Sequence, residues 1–112
     1  MIILFSGTPD TTLLLASNLP SNNYERNAFR NSVYYEHARN ILFVRKERMD
    51  SIGEFVVLIL HSMSHIKCGE MTDDGNTHFL RQFYKVIGVF FNLQGSICFL
   101  FNITDQPFIY NP

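Results

Sequence analysis

The chain has 112 residues, a formal net charge of -1, and 46% hydrophobic, 14% aromatic and only 17% charged residues. That length holds one small domain, and its apolar content excludes disorder throughout. The balanced charge gives no general pull toward nucleic acid or an anionic membrane surface.

Charge is unevenly placed along the chain. All nine Lys and Arg lie between Arg26 and Lys85, and outside residues 24–85 the only charged side chains are Asp10 and Asp105. A single domain, 1–112, is expected, with its best-defined core over 24–91. The apolar ends, 1–23 and 92–112, differ in character, as in a fragment or an alternatively ended form of a larger protein. They are also where exposed strand edges and Phe clusters would promote self-association.

Residues 2–5 (IILF) read as a short strand closed by Gly7 and Pro9. Asp10 can N-cap a short helix through Ser17, stopped by Asn18 and Pro20. Residues 21–31 are polar, with Tyr24 and Phe29 as anchors. Residues 33–38 fit both periodicities. Residues 41–45 (ILFVR) are β-branched and aromatic in part and read as a strand.

Ser51-Ile52-Gly53-Glu54 fits a capping box, in which the serine hydroxyl accepts from the Glu54 N–H and the glutamate reaches back. The helix it opens, about 51–68, ends with Lys67 in the last turn and Gly69 at the left-handed exit position. Its stretch 55–60 is apolar on every side, so the helix should be covered from more than one direction. A polar connection, 70–76, leads to a second helix, about 77–91, where Phe79, Leu80, Phe83, Ile87, Phe90 and Phe91 form one apolar stripe. Residues 96–101 (SICFLF) read as a strand. The fold class is therefore α+β: two packed helices with a few short strands.

Cys68 and Cys98 are the only cysteines. Two reduced, mostly buried thiols are expected, with one disulfide as the alternative. The N-terminus lacks the basic region of a signal peptide, which points to a cytoplasmic, intracellular protein. Residues 86–103 are apolar but carry Asn92, Gln94 and Asn102, which weakens them as a membrane span.

His61 and His65 stand four apart on the first helix, one above the other on one face, a spacing with which two imidazoles can grip one metal ion. The residue after the first histidine should then be a glutamate, to activate metal-bound water. Here it is Ser62, whose hydroxyl cannot serve as a carboxylate base. The alternative is that both histidines are ordinary core residues bonded to backbone or water. Cys68 continues the same face but lies too far along the axis to share an ion with His61; with His65 alone it remains a candidate.

Strand, capped loop, apolar helix with paired histidines, polar loop and aromatic helix together resemble the core of small zincin-type metallopeptidases. The SprT-like and ImmA-like families come closest. The resemblance spans about residues 40–89, with His61, Ser62 and His65 on the HExxH motif. It implies zinc as cofactor and a third ligand near the start of the next helix, where His78 precedes Phe79. Glu70, Asp73 and Asp74 are other oxygen donors nearby. With Ser62 in the glutamate position, it implies a degenerate, non-catalytic core, and Ser62→Glu should restore a base without disturbing the histidine pair.

The expected function is a non-catalytic zincin-like or structural interaction domain, held by a protein partner or by the remainder of a larger chain. One alternative is a zinc-dependent hydrolase with an unconventional base. Another is a membrane-associated fragment anchored through 86–103.

Overall fold

Side chains alternate along three short strands, and that alternation builds the sheet that carries the core. The computed structural model describes residues 2–3, 11–92, 101–102 and 109–110. Ile2–Ile3 form β1, Thr11–Ala16 β2, Val33–Glu36 β3 and Ile41–Arg45 β4. A 3-10 turn, Lys46–Asp50, leads into α1, Ile52–Cys68, and α2 spans Thr77–Asn92. Phe101–Asn102 and Ile109–Tyr110 form β5 and β6. The architecture is the expected α+β class, two helices on a small mixed sheet.

β4 pairs antiparallel with β3, placing Val33 opposite Val44, and parallel with β2, placing Leu13 opposite Leu42. The far edge of β2 is shared by β1, antiparallel through Thr11 and Thr12, and β6, parallel through Leu15 and Ala16. β5 pairs antiparallel with β1. Strand order is β3-β4-β2-β1-β5.

One face of the sheet presents Leu13, Leu15, Val33, Leu42 and Val44 to Phe55, Val56, Leu58, Ile59, Leu60 and Met63 of α1 and Val86 of α2. The residues between them, Leu14, Ala16 and Phe43, form a second cluster with Leu19, Tyr34 and Ile41. β2 is thus buried on both faces. That explains why the helix expected from Asp10 through Ser17 is instead a strand. Leucine and alanine favour helix in isolation, but a central strand needs apolar residues on both sides, and tertiary pairing overrides local propensity.

α1 starts at the expected cap, the Glu54 N–H donating to Ser51 Oγ at 3.5 Å, without the return bond from the Glu54 carboxylate that a full capping box would add. It is not apolar-covered all round, because Val57 is 48% exposed while the other members of 55–60 are buried. Full enclosure comes one turn later, where all eight residues from Leu58 to His65 are buried. α2 packs on α1 through Phe79 and Val86, which are buried, and Phe83, which is half-buried. Phe90 and Phe91 fall where only the backbone is described.

Tyr24 is buried, and its hydroxyl accepts from the Tyr35 N–H at 3.1 Å, tying the 21–31 segment to β3. Among the described residues no helix is long and apolar enough to cross a membrane. Leu4 and Phe5 of the first expected strand, residues 96–100 of the last, Cys98 with its disulfide alternative, half of the 86–103 span and most of the C-terminal end, 92–112, lie outside the described residues. Cys68 is a free thiol.

Candidate metal centre

α1 supplies both histidines, and the way the helix ends orients one of them. Gly69 takes a left-handed φ of 81°, turning the chain so that the Gly69 and Glu70 N–H groups close on the His65 carbonyl at 3.0 and 3.2 Å. The same reversal carries the Glu70 carbonyl to 2.8 Å from His65 Nδ1. A carbonyl only accepts, so Nδ1 bears the hydrogen and donates it. In the neutral ring Nε2 then presents its lone pair, and it lies 2.8 Å from Asp74 Oδ1. His61 Nε2 approaches the same oxygen at 2.9 Å. The ligand atoms of His61, His65 and Asp74 all lie within 4.8 Å of one another.

Asp74 is aimed by the loop that carries it. Its backbone N–H donates to the Arg26 carbonyl at 3.0 Å, and Arg26 returns a bond to the Thr72 carbonyl at 2.9 Å. Asn27 Nδ2 donates to the Met71 carbonyl at 2.9 Å. The Ala28 N–H donates to Asp74 Oδ2 at 2.9 Å. With Oδ2 held by backbone, Oδ1 is the oxygen left for the histidines.

The remaining walls are aromatic. Phe79 stacks on His65 with ring centres 3.7 Å apart and planes 11° from parallel. Phe29, Phe79 and Phe83 meet the His61 ring edge-on at 4.9, 4.9 and 5.5 Å. Asn76 sets this up by capping α2: its Oδ1 accepts from the His78 and Phe79 N–H groups at 2.9 and 3.1 Å. The His65 side chain is fully buried, that of His61 is 6% exposed and that of Asp74 31%. Of the three, Asp74 is the one open to solvent among the described residues.

Burial among these rings pushes His61 down to about 4, outweighing the upward pull of the Asp74 carboxylate; neighbouring His65 adds to the lowering. His61 is therefore neutral near pH 7, the form that binds a metal. Its Nδ1 is buried without a hydrogen-bond partner. Tetrahedral zinc with ligand bonds of ~2.1 Å needs ligand atoms ~3.4 Å apart. The two histidine nitrogens would therefore retreat from Oδ1 by roughly half an ångström to admit the ion.

The structure brings His61 and His65 together as the sequence predicts but differs at the third position. His78 is exposed and belongs to no potential ligand group among the described residues, whereas Asp74 does. The reason is register: with Asn76 as the cap, the first turn of α2 directs Phe79 inward and its neighbour His78 outward. The side chain of Asp74 could be weighed from sequence as one oxygen donor among several. The Ala28 amide that aims it could not, because it arrives from a distant loop.

His65, Cys68 and Glu70 form a second group of ligand atoms. It suits an ion less well, since His65 Nδ1 already donates to a carbonyl. Burial also pushes the Cys68 thiol up, and its Sγ donates to the His65 carbonyl at 3.3 Å. Ser62 is fully buried, and its Oγ has no hydrogen-bond partner, so it holds neither histidine nor Asp74. A glutamate there would push a carboxylate into packed interior, which revises the expectation that Ser62→Glu leaves the histidine pair undisturbed. No protein-family model, no curated protein and no solved structure matches the chain.

Proposed function

We propose that this domain binds a zinc ion through His61, His65 and Asp74 and uses it for binding and structure rather than hydrolysis. One observation carries the reading. His65 spends its Nδ1 hydrogen on the Glu70 carbonyl, and its Nε2, which bears a lone pair unless the ring takes up a second proton, lies 2.8 Å from a carboxylate oxygen. Two acceptors at that distance repel unless a cation lies between them, and a metal ion or a second ring proton supplies one. The second histidine converging on that oxygen makes three zinc-type donors. The Glu70 carbonyl and Ala28 amide behind them are the kind of outer support that metal ligands use.

Three protein ligands leave one position open, as in catalytic sites. Ser62, at the position where the zincin resemblance puts the base, supplies none: it is buried and its Oγ has no hydrogen-bond partner. The zincin resemblance is thus read as a frame without its chemistry, serving a protein partner or the remainder of a larger chain.

Calorimetric zinc titration tests this reading. The wild type should bind one equivalent, and His61→Ala and His65→Ala should each lose at least ~10–100-fold in affinity. A peptidase assay of the zinc-loaded wild type should show no metal-dependent cleavage. Absence of zinc uptake would make the histidines ordinary core residues, and cleavage would restore the hydrolase alternative.

A further inference from the structure

Among the described residues, the open coordination position reaches solvent on the Asp74 side. Phe79 covers the His65 ring, and Phe29 and Phe83 meet the edges of His61. Asp74, 31% exposed, also lines a surface cavity of about 460 Å³. Arg26, Arg30, Asn31 and Glu25 line that cavity too. Arg30 is held at its rim, Nη1 donating to the Glu25 carbonyl at 3.1 Å. An exchangeable fourth ligand arriving past Asp74 passes through a cavity lined by two arginines.

The charges there are informative. Two arginines balance Glu25 and Asp74, so the empty cavity is neutral. A divalent ion on the triad makes it +2. A cation with an open position, in a cavity lined by two arginines, favours an anion with oxygen donors. Guanidinium groups match carboxylate geometry bidentately. The cavity is too open to dehydrate a large apolar ligand, which leaves charge and coordination as the means of recognition.

Building on the metal-binding reading above, we propose that the loaded site captures a carboxylate, one oxygen completing the metal coordination and the other meeting Arg26 and Arg30. The ligand is bound and not cleaved. The metal is required, because without it the cavity carries no net attraction for an anion.

The test uses the full chain loaded with Co²⁺, whose visible spectrum reports a change of ligand. Acetate and N-acetylglycine should each give a saturable change, and N-acetylglycinamide none. The Arg26→Ala/Arg30→Ala double variant should bind acetate about tenfold more weakly, as expected for two partly screened charges, with Co²⁺ affinity nearly unchanged. A Co²⁺-loaded protein blind to both carboxylates overturns this inference and leaves the metal-binding reading standing. So does undiminished acetate binding by the double variant, or tighter binding of inorganic phosphate than of acetate. Failure of Co²⁺ to bind at all overturns both readings together.

Discussion

Replacing Asp74 by asparagine alters one atom type at the point where everything in the site meets. Asp74 Oδ1 faces both histidine nitrogens at 2.8 and 2.9 Å, and Oδ2 faces the Ala28 N–H at 2.9 Å. Asparagine has one oxygen. With that oxygen on the Ala28 N–H, the amide N–H₂ faces the histidines and can donate to the His65 Nε2 lone pair, so both contacts survive as neutral hydrogen bonds. The metal-free variant should therefore stay within about 1 kcal/mol of the wild type. The zinc effect should be larger. At free zinc a hundredfold above Kd, the wild type gains ~2.7 kcal/mol; after a hundredfold loss of affinity, the variant gains only ~0.4. For a chain of this size those figures translate into Tm rises of about 10 °C and 2 °C. Scanning calorimetry in chelator-buffered zinc measures both. Equal zinc-induced shifts in the two proteins would show that Asp74 is not a ligand, however destabilised the metal-free variant proves.

The metal-free protein should also respond to pH through His61. Its folded value, about 4, lies below the ordinary 6.5, so the unfolded chain binds the proton more readily. The stability it contributes is present above pH 6.5 and lost as pH falls toward 4, at most ~3 kcal/mol. Urea unfolding across that window should show the slope, and His61→Phe should flatten it; an unchanged slope would refute the assignment. Leu58→Ala should cost ~2–5 kcal/mol in chemical denaturation, because Leu58 is fully buried, whereas Val57→Ala on the exposed stripe should stay within about 0.5 kcal/mol. Gly69→Ala should cost ~1–2 kcal/mol through its left-handed backbone alone, since a Cβ there meets no atom within 4 Å. Substituting D-alanine by chemical synthesis should restore most of that loss.

Local sequence signals were strongest where the structure depends on neighbours a few residues apart. Ser51 as cap, Gly69 as exit and the four-residue step from His61 to His65 are helix grammar, carried by backbone hydrogen bonds within one or two turns. They locate α1 and place both imidazoles on one face. The strand at Ile41–Arg45 was equally legible from its β-branched and aromatic residues. The segment after Asp10 was not, because its leucines suit a helix locally and become a strand only when β4 and β6 flank it.

The site divides in the same way. By itself the sequence determined that two histidines share a helical face, that Ser62 follows the first of them, and that oxygen donors follow in the next loop. Tertiary structure decided which donor arrives. Asp74 rather than His78 reaches the histidines because the Ala28 amide grips its other oxygen and the Asn76 cap fixes the register of α2, turning Phe79 inward and His78 to solvent. Those bonds join residues 46 apart in one case and set a rotation about a helix axis in the other. Neither leaves a periodic trace, since the amide that holds Asp74 is a backbone group that every non-proline residue carries.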